Sequence, residues 1–255
     1  WSLIRWTLSA ATLTLGGCWL YPQFPEWQAS QPARLSARHA PGRVSKSSAQ
    51  RFDVVEQYTD EDDPAEVTGR AIVERLTDLA RRTRSGEVDR VWVHYSGHGC
   101  GIRDRNGDER DGQDECILPV DYRTKGVITD DVLNRIVNEF DGRAKVTMVF
   151  DCCHSGTIAD LKYSYAGTSV MQNNFARSCD AHVLLVSGCA DDQTSADAFD
   201  VRGMHAFTGA MSSCLLDALG TTNNAIQCMR RVTRALKEKG FRQTARLSSS
   251  REVDL

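Results

Sequence analysis

The stretch "AKVTMVFDCCHSG" (residues 144–156) is an apolar, β-branched run that stops on an aspartate, two cysteines, a histidine and a glycine. Such a run reads as a buried strand, and the polar residues at its carboxyl end read as a tip that carries chemistry. Two further stretches have the same form: "VDRVWVHY" (88–95) breaks into "SGHG", and "AHVLLVSG" (181–188) runs on into "CADDQTSAD". Helical patterns separate them. In "AEVTGRAIVERLTDLARRTRSG", Val67, Ala71, Ile72, Leu76, Leu79 and Ala80 share one face, with basic residues in the last turn and Gly86 after it. "VITDDVLNRIVNEFDG" sets Val132, Leu133, Ile136, Val137 and Phe140 at helical spacing, with Thr129 or Asp130 as the cap. Further helices are expected over Phe207–Leu219 and Ala225–Glu238, and short strands over Phe52–Gln57 and Ala245–Ser248. Strands alternating with helices imply a largely parallel sheet covered on both faces. In such sheets the ligand site lies beyond the carboxyl ends of the strands, where all three tips sit.

A chain of 255 residues with 41% hydrophobic and 25% charged content has the composition of a globular protein with one sizeable core, and a single domain is expected. Its formal net charge of −3 supplies no basic field for nucleic acid or an anionic membrane surface. Nine cysteines, at 18, 100, 116, 152, 153, 179, 189, 214 and 228, form no C-x-x-C pair and no regular spacing. This favours reduced thiols in an intracellular protein over a disulfide framework or structural zinc.

The first segment, "WSLIRWTLSAATLTLGGC", can be read as a buried first strand ending in a Gly-Gly turn or as a lipoprotein signal that would be acylated at Cys18. From Trp19 to Gln50 the chain is rich in Pro, Ser, Arg and Ala and keeps no period, so it reads as loop or poorly ordered chain. That is long for a compact domain, and implies an insertion or an atypical segment.

A thiol becomes a good nucleophile when a neighbouring imidazole stabilises its thiolate. His98 lies at one strand tip and the Cys152/Cys153 pair at another, with Cys153 55 positions downstream of His98. That separation suits a caspase-type arrangement of His before Cys, about 50 residues apart. Taken singly, a buried cysteine or a lone histidine is more often structural; together, at matched strand ends, they point to a nucleophile and its base. His154, adjacent to Cys153 on extended chain, points to the opposite face. A Cys-x5-Arg phosphatase loop would need Arg at 158 or 159, where the chain has Ile158 and Ala159. The glycines around His98 let substrate backbone approach and leave the Gly99 N–H to face a developing oxyanion. The acidic loop "DRNGDERDGQDE" (104–115) fails as an EF-hand because Glu109 replaces the required glycine. Asp114, Asp130 and Asp131 could be hard-cation ligands, or solvated turn residues and a helix cap; residue types alone favour the second.

The motifs "VWVHYSGHG", "DECILPVDY", "VITDD", "VFDCCHSG" and "SGCADDQTSAD" resemble those of the metacaspases, caspase-like cysteine peptidases, over roughly Phe52 to Leu255. The resemblance implies a caspase-hemoglobinase α/β fold, a central, mostly parallel mixed sheet sandwiched between helices. It divides one domain into a divergent first segment (1–50), a large-subunit-like region (51–170) and a small-subunit-like region (171–255), a type I-like arrangement. By motif position it makes His98 the general acid/base and Cys153 the nucleophile, with the N–H groups of Gly99 and Cys153 as the oxyanion hole. Ser96 and Asp151 match an acidic pocket for Arg or Lys before the cleaved bond, and a carboxylate can take a guanidinium by two parallel hydrogen bonds. Asp114, Asp130, Asp131 and Asp160 match the family's Ca2+ ligands, which turns the weighting of those aspartates toward calcium. The implied protein is a monomeric, cytoplasmic, calcium-dependent endopeptidase acting on proteins or peptides, without nucleic-acid or membrane partners, and able to process itself at a basic residue such as Lys125 or Lys162. The front departs from the pattern. "WSLIRWTLSAATLTLGGC" lies without gaps on the family's first strand, so the lipid-anchored reading becomes the minor alternative. Arg5 replaces a usual glycine, "CWLY" replaces the segment with a second pocket acid, and the next helix is missing. A catalytically impaired scaffold is the alternative function.

Overall fold

The computed structural model describes residues 3–5, 11–15, 54–60, 62–104, 107, 112–152, 155–166, 169–173, 179–188, 210–222, 224–241 and 243–253. The expectations for Trp19–Gln50, Cys18, Cys153, His154 and the segment 189–209 lie outside these residues.

Twelve strands and five helices are found among the described residues. The strands are β1 (Leu3–Arg5), β2 (Ala11–Leu15), β3 (Val54–Thr59), β4 (Arg90–Ser96), β5 (Gly99–Arg103), β6 (Gln113–Ile117), β7 (Ile128–Thr129), β8 (Lys145–Asp151), β9 (Tyr163–Ala166), β10 (Ser169–Gln172), β11 (His182–Ser187) and β12 (Arg246–Ser249). The helices are α1 (Gly69–Arg84), α2 (Tyr122–Lys125), α3 (Asp130–Val137), α4 (Ala210–Leu219) and α5 (Ala225–Glu238). Nine strands form one sheet in the order β10-β9-β12-β11-β8-β4-β2-β1-β3, and β5-β6-β7 form a separate small sheet. At the centre, β2, β4, β8 and β11 run parallel, whereas β1, β9, β10 and β12 make antiparallel pairs. This is a mixed sheet with a parallel centre, flanked by helices, as a caspase-like α/β fold requires.

The two-residue side-chain period of the central strands divides the core in two. Val91, Val93 and Tyr95 of β4, with Val146, Met148 and Phe150 of β8, meet α1 and α3 through Ile72, Leu76, Leu79, Leu133 and Ile136. The opposite face carries Val149 and Val186, covered by Met211, Leu215, Met229, Val232 and Leu236 of α4 and α5, with Trp92 against them. Helix ends follow the chain's punctuation. Thr68 caps α1 by accepting the Ala71 N–H at 3.3 Å, and Asn224 caps α5 by accepting the Gln227 N–H at 2.8 Å. Gly86 and Gly240 follow these helices at φ 75° and 79°, where a Cβ would be strained.

Three features depart from the sequence expectations. The region 99–129 forms a small sheet rather than loop alone, because pairing between β5 and β6 overrides the weak strand propensity of "GCGIR". The first segment contributes two strands rather than one, with β2 parallel to β4. The expectation of reduced thiols throughout fails at Cys100 and Cys116, directly opposed in the β5–β6 pairing and joined by a disulfide. An odd cysteine count concealed a pair that only strand register brings together. Among the described residues no helix is long and apolar enough to cross a membrane.

Leu76 is 1% exposed in the α1 face of the core, whereas Leu216 on α4 is 42% exposed. Leu76→Ala is expected to destabilise the protein by about 2–5 kcal/mol and Leu216→Ala by less than about 0.5 kcal/mol, read from urea unfolding. Equal losses would contradict this division between core and surface.

Candidate active site

The parallel pairing of β4 and β8 builds the site. Its register runs from Arg90 opposite Lys145 to Ser96 opposite Asp151. Both strands therefore end at the same level, and the side chains of Ser96 and Asp151 project from the same face, the one covered by α4. His98 and Cys153 each stand two positions beyond a member of that last pair in the sequence.

His98 is held through its backbone. Its carbonyl accepts the Leu118 N–H at 3.0 Å and the Tyr95 hydroxyl at 2.7 Å. Tyr95 is fully buried with its ring 5.6 Å from that of Phe150, so the residue that fixes His98 is packed on the strand that leads to the cysteines. Gly99 opens β5 opposite Ile117. Just after β8, Cys152 is buried, and the Ser155 hydroxyl donates to the Cys152 carbonyl at 2.9 Å and to the Phe150 carbonyl at 3.4 Å. Burial pushes up the thiols of Cys179, Cys214 and Cys228 and keeps them protonated.

Asp151 has the most perturbed surroundings. Its carboxylate is fully buried, and Oδ2 accepts the Ser212 N–H of α4 at 2.9 Å. Oδ1 has no hydrogen-bond partner among the described residues. Burial pushes its pKa up to about 6, against the opposing pull of Ser212 and Gln243. The Ser212 hydroxyl lies 2.9 Å from His94 Nε2, which links the carboxylate's support to β4. Gly188, at the end of β11, completes the enclosure: a Cβ there would stand 2.8 Å from Gln243 Nε2 and 3.1 Å from Asp151 Oδ1. Sequence reasoning singled out Asp151 and Ser96 and missed Ser212, Gln243, His94 and Ser155. Of these, only His94 and Ser155 lie inside a strand-tip motif that could have drawn notice.

The four aspartates matched to calcium surround the start of α3. Asp130 and Asp131 form its first turn; Asp130 Oδ2 accepts the Glu115 N–H at 2.6 Å and Oδ1 the Asp131 N–H at 2.7 Å. Thr129 occupies the cap position but makes no side-chain capping bond, so Asp130 takes over that task. Asp114 is buried beside Glu115, the last residue of the acidic loop rejected as an EF-hand, and Glu115 accepts the Thr157 hydroxyl at 2.6 Å. Asp160, at φ 45°, is tied to α3 by the Asn134 side-chain amide, which donates to the Ala159 carbonyl at 2.9 Å and the Asp160 carbonyl at 3.5 Å. Among the described residues no three His, Cys, Asp or Glu side chains stand together as a ready-made metal cluster.

The metacaspase peptidase C14 domain model matches residues 45–162. The chain is 37% identical over 200 residues to metacaspase-3 of Trypanosoma cruzi, covering 72% of this chain and 55% of that protein. It is 34% identical over 201 residues to metacaspase-2 of Trypanosoma brucei brucei, covering 72% and 57%, and 38% identical over 161 residues to metacaspase-1 of Arabidopsis thaliana, covering 57% and 44%. The chain thus spans about half the length of the curated relatives it matches.

A carboxyl whose folded-state pKa is raised favours its neutral form on folding. Its stabilisation is complete below the unfolded value near 3.8 and is lost as pH rises to about 6. Asp151→Asn keeps an acceptor for Ser212 and does not titrate. Between pH 4 and pH 7 wild type is expected to lose about 2 kcal/mol relative to this variant, measured by urea unfolding at each pH. A difference that does not change with pH would contradict the shifted carboxyl.

Proposed function

We propose, from the match of residues 45–162 to the metacaspase peptidase C14 domain, that this chain is a calcium-dependent cysteine endopeptidase cleaving after Arg or Lys. The observation that carries the specificity is the Asp151 carboxylate, fully buried with Oδ1 unpartnered among the described residues. A buried acceptor left in this way favours a cationic, multiply donating side chain, and Arg and Lys are the two that qualify.

In this reading the Cys153 sulfur attacks the scissile carbonyl carbon as a thiolate, and the backbone N–H groups of Gly99 and Cys153 stabilise the resulting oxyanion. As the C–N bond breaks, the His98 imidazolium protonates the leaving amine. Water then attacks the thioester, with His98 accepting its proton, and Cys153 returns as the acid product departs. The immobilised carbonyl of His98 and the Ser155 hydroxyl on the Cys152 carbonyl support this role, since acyl transfer requires nucleophile and base to be held within hydrogen-bond reach. Ser96 shares the pocket face with Asp151.

Calcium fits the chemistry of Asp114, Asp130, Asp131 and Asp160, because hard cations take carboxylate oxygens. These residues would hold the ion around the first turn of α3. Bound there, it would neutralise the local negative charge and tie the 155–160 turn to β6 and α3. Because the carboxylates are not gathered in advance, binding is expected to order this region.

Cleavage of an Arg reporter peptide by wild type, with and without calcium, and by Cys153→Ala tests the proposal. Wild type is expected to turn over only with calcium, and the variant not at all; turnover by Cys153→Ala would sink the peptidase assignment. Calcium binding has its own readout. Added calcium is expected to raise the melting temperature of wild type, and Asp131→Ala, an exposed position, is expected to weaken that response about tenfold or more in concentration. An undiminished response would remove Asp131 from the ligand set.

A further inference from the structure

Gln243 stands beside Asp151 at the end of the central sheet, and no motif singles it out. It precedes β12, is 5% exposed, and its Oε1 has no hydrogen-bond partner among the described residues. Its Nε2 lies against Gly188 on the side where Asp151 Oδ1 also lies, so the amide points toward the carboxylate and lowers its proton affinity. Asp151 Oδ1 and Gln243 Nε2 thus flank the same Gly188, and the oxygen of that amide, Oε1, is a second buried acceptor without a partner among the described residues. Every buried acceptor left unmade carries a desolvation cost, and two such atoms on neighbouring side chains suit a ligand with several donors spread over a plane.

We propose that Gln243 is a specificity-determining residue that accepts a hydrogen bond from the substrate guanidinium next to Asp151, and so selects Arg over Lys. The inference rests on Asp151 as the acid of the basic-residue pocket. A guanidinium carries five N–H donors in a rigid plane and can serve a carboxylate and a neighbouring amide oxygen together. A Lys ammonium is a compact charge that Asp151 alone can satisfy, and dehydrating it in this enclosed place is more costly. Gly188 has no Cβ because one would collide with Gln243 Nε2 and crowd Asp151 Oδ1. Ser212, donating its N–H to Oδ2, holds the carboxylate with Oδ1 against Gly188. Ser212 is a positioning residue and touches no substrate.

The test compares kcat/KM on otherwise identical reporter peptides with Arg or Lys before the cleaved bond, for wild type, Gln243→Met, Gln243→Glu and Asp151→Asn. Wild type is expected to favour Arg by about tenfold or more. Gln243→Met, which keeps the length and loses the acceptor, is expected to lower kcat/KM for Arg about tenfold, chiefly through KM, and to leave Lys nearly unchanged. Gln243→Glu restores an acceptor and is expected to keep Arg ahead. An Arg-to-Lys ratio unchanged in Gln243→Met, with Asp151→Asn inactive on both reporters, overturns the role of Gln243 and spares that of Asp151. Undiminished Arg cleavage by Asp151→Asn overturns the pocket itself. Should Gln243→Met fail to fold, wild type still decides: Lys cleaved as well as Arg overturns the inference.

Discussion

The carboxylate of Asp151 sits at the end of the central parallel strand β8, fully removed from water. Burying such a group is costly unless its oxygens find donors, and here one oxygen takes the Ser212 amide while the other has no donor among the described residues. The surrounding chain is arranged by that constraint. Strand β4 brings Ser96 level with it, α4 brings Ser212, the segment before β12 brings Gln243, and β11 ends in a glycine where a side chain would intrude. The local energetics oppose ionisation, whereas the proposed recognition of a cation requires it. A pKa near 6 lets the group ionise near neutral pH and still gain markedly from a positive partner.

Register connects the pocket with the chemistry. In a parallel pair a one-residue slip would move Ser96 to the other face and separate it from Asp151. The slip is blocked because Val91, Val93 and Tyr95 must meet α1 and α3 on one face while Trp92 packs on the other. Core packing therefore sets the level of the two strand tips that lead to His98 and Cys153. Tyr95 joins both tasks, with its ring in the core and its hydroxyl on the His98 carbonyl.

What could be read from the sequence divides along the same line. Continuous apolar runs ending in Gly, His, Cys and Asp announced β4, β8 and β11 and their site-bearing tips, and helical spacing gave α5 from Ala225 to Glu238 as found. The hairpins β5–β6 and β9–β10 stayed hidden because they are short, glycine-containing or half exposed, and owe their order to partners rather than to pattern. Ser212 was illegible for another reason. It is one of two serines in an apolar helix, "AMSSCLLDAL", and its importance lies in a bond to a residue 61 positions earlier. The Cys100–Cys116 disulfide likewise depends on register, which a count of cysteines does not contain.

The family match ends at residue 162, whereas Gly188, Ser212 and Gln243, which enclose the Asp151 carboxylate, all come later. The motif-bearing part of the chain thus contains His98, Cys153 and Asp151, and the part beyond it supplies the groups that hold the Asp151 carboxylate and flank it. These later residues lie on the face covered by α4 and α5, whose core packing is separate from that of α1 and α3. Substitutions on the α4 and α5 side away from Trp92 can therefore retune how the carboxylate is presented while leaving the α1 and α3 core in place. Under the proposed function, a fold divided in this way would keep one reaction while varying the side chain it selects, because the two tasks would draw their support from opposite faces of one sheet.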